Sequence, residues 1–479
     1  MFRNYLLIAF RNFKKQKLFT LLNMFGLALG LASAILIFLY VSDELRYDTM
    51  HPHYKNAYRI GCTWSNSDGR SFDNIESPGF FVKYLKDNRS EVTHSARLMN
   101  FGYPTSLNYK AKDKIILTEE IRWAEPNFEE VLAFNLLKGN RKKMFENYYT
   151  IVVSETGARK LFGSEDPMGK TITIKHFWGT QDREIDVMVT GIYRDYASNS
   201  HFKPEFILNI NALRTIYGAN FSDFLEGSRF GQQIGFFENY IVLKPGAEIK
   251  PINTILQVLS DQLVRSDSAA VANGWKLTPF TTRLADLHFD KKNLWEANTK
   301  GDKTYLTIFS AIAILIMLIA CINYMNLATA RSAKRAKEVG LRKSLGSNRG
   351  NIAKQFFLES FLMTTGTFLI AIILIILFLK PFNQLAHKSF GLVSLFNLYM
   401  IGIVSGIVLF MGFISGIYPA FYLSAFQPVE VLKGQIVKGK GAEFFRKSLV
   451  TAQYTSGTCI NHLHFYCDKT NGAIENNEA

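Results

Sequence analysis

Cysteine is scarce: Cys62, Cys321, Cys459 and Cys467 are the only four in 479 residues, with no paired spacing and no Cys-x-x-Cys. Cys321 lies inside an apolar run, so the pattern argues against a disulfide framework. Acidic side chains are the second shortage, 40 against 55 Lys and Arg, for a formal net charge of +15. Such an excess invites a nucleic-acid reading, because Lys and Arg neutralise phosphate backbones. Here it sits beside the apolar runs, where membrane orientation accounts for it, and no nucleic-acid partner is expected. Mean hydropathy is only +0.03 although 48% of the residues are hydrophobic, too low for a chain made of membrane alone. The hydrophobic residues must therefore come in blocks.

Catalytic patterns are missing too. No Ser/His/Asp, Cys/His or paired-carboxylate arrangement stands out. The stretch from Gly163 to Gly169-Lys170-Thr171 comes near a phosphate-binding loop, but five residues separate the glycines where four are needed. It reads as a turn before a strand. His51-Pro-His53 lacks a third ligand at workable spacing. The chain is accordingly expected to be no enzyme and to carry no cofactor and no metal.

What is present centres on residues 305–379. Apolar runs at 306–322 and 356–379 flank a basic stretch holding Arg331, Lys334, Arg335, Lys337, Arg342, Lys343, Arg349 and Lys354. Each run approaches the roughly 20 residues that cross a bilayer as a helix. Short loops rich in Lys and Arg stay in the cytoplasm, so the centre reads as helix, cytoplasmic elbow, helix. As a helix, the elbow lines Ala333, Ala336, Gly340 and Ser344 along one strip of small side chains, and small residues let another backbone approach. Its cations fill the remaining face, suited to anionic lipid or an acidic groove, and Glu338 is placed to pair with Lys334 or Arg342. Asn323, Asn326 and Thr329 mark a polar seam at membrane depth.

Taken in order, the chain divides as follows. Residues 1–17 form a cytoplasmic amphipathic segment suited to the membrane surface, and 18–41 the first spanning helix. Ala32-Ser-Ala34 offers a signal-peptide processing site, yet the apolar stretch runs on to Val41, which favours an uncleaved anchor. Residues 42–303 turn polar, with strands expected at Thr171–Lys175, Val187–Tyr193 and Tyr240–Lys244 and helices near Pro78–Asp87 and Ile252–Val264. This domain has size for its own core, as one body or two subdomains. Then come helix 2 (304–327), the elbow (328–355), helix 3 (356–379), a short outer loop (380–397), helix 4 (398–418) and a cytoplasmic tail (419–479). The expected fold class is an α-helical integral membrane protein with four transmembrane helices and a large mixed α/β extracytoplasmic domain between helices 1 and 2. Both termini are expected in the cytoplasm.

Several segments carry a resemblance. Ser42-Asp-Glu-Leu-Arg-Tyr-Asp48 with His51 and Ala57-Tyr-Arg59, Ala124-Glu-Pro-Asn-Phe128 with Leu137-Lys-Gly-Asn140, Ser154-Glu-Thr-Gly157 with Asp166-Pro-Met-Gly169, and Val189-Thr-Gly-Ile192 with Asn199-Ser-His-Phe202 are similar to the periplasmic core of MacB-type transporter permeases. The elbow, from Arg331-Ser332 and Arg335-Ala-Lys-Glu-Val-Gly-Leu-Arg-Lys343 to Leu345-Gly346, resembles the FtsX-type permease domain, as do Gln355, Glu359-Ser360, Tyr418-Pro-Ala420, Gln427-Pro428 and Leu432-Lys-Gly434. The resemblance implies an inner-membrane ABC transporter permease without a substrate tunnel. A separate cytoplasmic ATPase drives it, and long first and second helices carry the movement outward by mechanotransmission. A coupling helix at about 331–345 receives the push, which assigns Arg331, Arg335, Glu338, Gly340, Arg342, Lys343 and Gly346 to ATPase coupling. Export or efflux is the implied role, with a second permease copy or half and, outside, an adaptor and outer-membrane channel as partners. The alternatives are an FtsX-like regulator of cell-wall hydrolases and a truncated, inactive half-permease. The last arises because Phe445–Thr455 starts like a further spanning helix that the polar residues after Gly457 do not continue. A reading one base later recovers apolar residues, so a frameshift near Ser456 is expected.

Overall fold

The computed structural model describes residue 11 and residues 17–100, 104–178, 181–227, 237–290, 300–330, 339–395, 398–425, 451 and 455. Most of the amphipathic segment expected over 1–17, and the tail beyond 425 apart from two positions, lie outside the described residues. The chain forms two units, Met1–Leu45 with Lys303–Ala479, and Arg46–Asp302 between them in sequence.

In chain order, helix α1 (Lys17–Leu45) leads to strands β1 (Ala57–Ser65) and β2 (Ser71–Asn74), helix α2 (Phe80–Asn88), and strands β3 (Val92–Met99), β4 (Thr105–Tyr109), β5 (Lys114–Thr118), β6 (Ile121–Ala124), β7 (Leu136–Gly139) and β8 (Thr150–Ser154). Helix α3 (Glu155–Phe162), strands β9 (Thr171–Trp178), β10 (Gln181–Tyr193), β11 (Phe206–Asn209) and β12 (Glu238–Leu243), helix α4 (Lys250–Arg265) and strand β13 (Lys276–Arg283) follow. Helices α5 (Lys303–Ala330), α6 (Arg349–Ala386) and α7 (Leu398–Ala425) come last.

The first unit packs α1, α5, α6 and α7, each long and apolar enough to cross a membrane. Small residues set how closely they approach. A methyl group on Gly30 of α1 would lie 2.7 Å from Cβ of Ala320 on α5, and one on Gly26 lies 3.5 Å from Nδ2 of Asn323. A methyl group on Gly416 of α7 would lie 2.8 Å from the Phe357 ring of α6. Both contacts come from Gly-x-x-x-Gly spacing, Gly26 to Gly30 and Gly412 to Gly416, which puts two bare backbone positions one turn apart. Helix α6 starts at Arg349 rather than 356, because Asn348 caps it by accepting the Asn351 N–H at 2.8 Å. It also runs on to Ala386, into residues expected as loop, and includes Pro381, which has no N–H to give to the carbonyl one turn earlier. Its buried stripe is mixed at first, with Gln355, Glu359, Ser360, Thr364 and Thr367 among Ile352, Phe356 and Met363, and apolar afterwards, at Ala371, Ile375 and Leu379. Steps of three and four keep these residues on one face.

The second unit is built on one mixed sheet, ordered β13-β1-β12-β3-β6-β11-β8-β10-β9-β4-β5, with β2 beside β1 and β7 beside β10. Pairs β8–β10 and β6–β11 are parallel and the rest antiparallel. Strands β8 and β12 are buried along their whole length, which fits their continuous apolar runs. Helix α4 buries Ile252, Leu256, Leu259 and Leu263 against Ile60, Cys62, Ile241 and Leu277. Residues 163–171 form the expected turn before β9: Gly163 and Gly169 adopt φ of +67° and +74°, and Lys170 pairs with Glu165.

Candidate functional site

Four places in the two units combine buried charge, close packing or exposed apolar side chains. The first is the elbow. Residues 339–344 are helical, and Gly346 reverses the chain at φ +95°, with the Ser347 N–H reaching the Arg342 carbonyl at 3.0 Å. Val339 packs on Ile352 and Phe356 of α6, and the Arg342 guanidinium donates to Oε1 of Gln355. The elbow's end is thus fixed to the start of α6. Gly340 is buried beside Val339, whereas Ser344 is exposed, its hydroxyl donating to the Leu341 carbonyl at 2.7 Å. The single strip of small residues expected from the sequence is therefore divided at this point, because anchoring Val339 turns Gly340 inward. The outward side instead presents Leu341 and Leu345, 55% and 79% exposed and one turn apart, next to Lys343. Burial, with Arg349 nearby, holds Lys343 below the usual lysine range. Arg331, Arg335 and Glu338 lie outside the described residues, as does the side chain of Thr329.

The second place is the seam. Asn323 faces Gly26 across the α1–α5 contact. The register set by Gly26 with Asn323 and Gly30 with Ala320 brings Asn23 level with Asn326. Asn23 is buried on α1 and was not singled out in the sequence, although a lone amide within an apolar run was the available signal.

At the far end of the same unit, Lys388 lies 2.8 Å from Asp43 and 2.7 Å from Glu44 at the end of α1. All three are largely buried. Asn383 grips both the N–H and the carbonyl of Phe390, which fixes the loop that carries Lys388. Burial opposes the charge on Lys388, but the hydrogen bonds to the two carboxylates outweigh it and raise its pKa above the usual lysine value.

The fourth place is the neck of the second unit, where its first and last residues are tied to one patch. Asp48 adopts φ +58°, which points its carboxylate back into the body. Its Oδ1 accepts from the Ser200 hydroxyl at 3.1 Å and the His201 N–H at 2.9 Å, and lies 2.8 Å from Nδ1 of His201 and 3.5 Å from Nε2 of His51. On the other side, Nε2 of His201 meets the Tyr240 hydroxyl at 2.9 Å, and that hydroxyl donates to Glu238 at 3.1 Å. His201 is thus held between the Asp48 carboxylate on one side and the Tyr240 hydroxyl on the other. Burial alone would raise Asp48, yet the His201 charge and the hydrogen bonds from both histidines hold it far below the usual carboxylate range. Tyr47 adds a second tie, stacking on His288 at 3.7 Å and donating to the Ser200 carbonyl at 3.3 Å. His288 in turn accepts the Gly301 N–H at 2.9 Å, at the other end of the unit.

Asp48, His51 and His201 offer three ligand atoms within 4.8 Å of one another, as a metal centre would. Their protons speak for a latch instead. The Ala133 N–H donates to Nδ1 of His51 at 2.9 Å, so the proton of this neutral ring sits on Nε2, the atom a metal would need. His53 goes elsewhere and stacks on His94. Burial, resisted by the hydrogen bond to Asp48, pushes His51 below the usual imidazole value. A histidine kept neutral in the fold contributes its full stability above about pH 6.5, and loses it as pH falls toward the lower folded value. The unfolding temperature of the whole chain in detergent should therefore drop between about pH 7 and 5, and His51→Gln should flatten that slope. Identical slopes would remove His51 as the titrating group.

Four long apolar helices, the first pair in close contact at glycines, and an α/β unit between the first two in sequence are the architecture to be matched. A MacB-like periplasmic core domain matches residues 20–257, and an FtsX-like permease C-terminal domain matches residues 310–428. The chain belongs to the MacB/FtsX-type ABC transporter permease family. The macrolide export ATP-binding/permease protein MacB of Bdellovibrio bacteriovorus is 22% identical over 320 residues, covering 66% of this chain and 44% of its own length. The chain thus spans under half of that relative. An uncharacterized ABC transporter permease of Methanocaldococcus jannaschii is 22% identical over 447 residues, covering 89% of this chain and 97% of that protein. Among solved structures, the periplasmic region of MacB from Actinobacillus actinomycetemcomitans aligns with 48% of this chain and 89% of its own, at 13% identity and a TM-score of 0.30.

Proposed function

We propose that this permease receives ATP-driven movement from a separate cytoplasmic nucleotide-binding subunit at the elbow and passes it through α1 and α5 to the body at 46–302, for export of a substrate. The chain itself performs no ATP hydrolysis in this reading. The observation that carries it is the pair Leu341 and Leu345, exposed beside Lys343 on a segment that Val339 and Arg342 fix to α6. An apolar pair flanked by cations suits a groove with an apolar floor and an acidic rim. A push there moves α6 directly, because little slack separates the two elements. The tight α1–α5 contact gives the movement a stiff path, and the neck ties both chain ends of the body to one patch. Elbow and termini lie in the cytoplasm and the body outside, with a second permease copy in the membrane and an adaptor and outer-membrane channel beyond it.

The test is co-purification with the candidate ATPase. Reversing Arg342 and Lys343 to Glu, or replacing Leu341 and Leu345 with Asp, should weaken association about tenfold or more, as loss of buried anchors does. Adding Arg335→Glu should deepen the loss. Association unchanged by both sets would sink the docking surface.

A further inference from the structure

The link between α6 and α7, expected as a short outer loop, carries an apolar surface. Leu385 in the last turn of α6, Val393 in the link and Leu398 at the start of α7 are 84%, 84% and 87% exposed, and Leu392 is exposed beside Val393 on one short helical turn. The other side of the link is firmly seated. Phe390 stacks on Phe382 at 6.3 Å, Leu395 packs into the core of the helices, and Asn383 holds both backbone groups of Phe390. One side is thus committed to protein, while the other presents large aliphatic side chains that water disfavours.

Two observations say what lies against that side. The first is depth. Lys388 meets Asp43 and Glu44 where the apolar run of α1 gives way to charge, so the link is pinned at the level at which α1 leaves the bilayer. The Lys388 ammonium also lies 5.7 Å over the Tyr40 ring, and Tyr399 follows Leu398 in the first turn of α7. Tyrosines collect where acyl chains meet headgroups. The second is continuity. Leu385 stands two helical turns beyond the exposed Phe378 of α6, and Leu398 three turns before the exposed Leu409 of α7. The apolar surface of the link therefore joins the lipid-facing rows of both spanning helices.

We propose that Leu385, Leu392, Val393 and Leu398 form a shelf seated in phospholipid, at the boundary between acyl chains and headgroups. Lys380, exposed on α6 just before the shelf, has the length to lay its stem along acyl chains and its ammonium on a phosphate. Because Lys388 joins the same link to α1, movement of α1 along the membrane normal carries the shelf with it, and the bilayer resists that movement. The shelf needs only the spanning helices and no ATPase, so its failure would leave elbow coupling standing.

The test uses the full chain, with Cys459 and Cys467 replaced by Ser, in vesicles of phosphatidylethanolamine and phosphatidylglycerol. Cys62 and Cys321 are buried and stay. A nitroxide is attached to Leu385→Cys or Val393→Cys. Its collisions with oxygen, which gathers among acyl chains, are compared with those of a water-soluble nickel chelate present on both sides of the membrane. Val271→Cys, at an exposed valine of the body, gives the reference in water. The oxygen-to-nickel ratio at both shelf positions should be at least about fivefold that reference, as for side chains sunk into the interface. A ratio below that at either position would put the link in water, and weak collision with both reagents would mean that protein covers it. Either result overturns the shelf.

Discussion

Replacing Gly30 with leucine is expected to separate α1 from α5 and cost more stability than any other single change in the membrane unit. Even a methyl group there would sit 2.7 Å from Cβ of Ala320, closer than two carbons tolerate. Overpacking of this kind costs about 1–3 kcal/mol where neighbours can yield. Leucine adds three more carbons against a helix backbone, so the loss should reach or exceed that range. The control is Gly402→Leu, where nothing lies within 4 Å, and which should change stability by under about 0.5 kcal/mol. A swap sharpens the test. Gly30→Ala should destabilise, and Ala320→Gly added to it should recover most of the loss, since the two positions share one methyl's worth of space. Thermal unfolding of the purified chain in one detergent would report all of these. Equal effects of Gly30→Leu and Gly402→Leu would mean that the helix contact is not what holds the pair.

The second large effect is expected at Asp48. Removing its carboxylate takes away the acceptor shared by the Ser200 hydroxyl, the His201 N–H and the His51 ring, and each buried donor left unsatisfied costs about 1–3 kcal/mol. Alanine adds the strain of a left-handed backbone at φ +58°, about 1–2 kcal/mol more. For a body of this size the unfolding temperature should fall on the order of 10 °C. Asp48→Asn keeps a residue that tolerates the backbone and retains an acceptor oxygen, so it should lose clearly less than Asp48→Ala. If the two variants melt together, the lost acceptor and the strain both drop out of the account.

How much of this was legible beforehand differs from place to place. The four spanning helices announce themselves, because a run of about 20 apolar residues has few uses outside a bilayer. The strands expected at 171–175 and 240–244 were nearly as plain from their β-branched and aromatic residues, and the structure sets them at 171–178 and 238–243. The neck was not. Asp48 and His201 stand 153 positions apart, and nothing in spacing joins a carboxylate to an imidazole over that distance. Their segments stood out only by resemblance. At the elbow the cations were easy to count, but which of Gly340, Leu341 and Ser344 faces outward depended on Val339 finding Ile352 and Phe356. The glycine pairs of α1 and α7 show in the sequence as four-residue spacing, but spacing alone does not say which helix each pair meets.

Lys388 has one consequence for how the molecule meets its surroundings. Its two carboxylate partners are within 3 Å and nearly shut off from water, so dissolved ions barely weaken that tether. Lys343, beside Leu341, is only partly covered, and a rising electrolyte concentration blunts its charge within a Debye length of about 8–10 Å. If a subunit docks at the elbow as proposed, brine should loosen it there while leaving the Lys388 tether fastened.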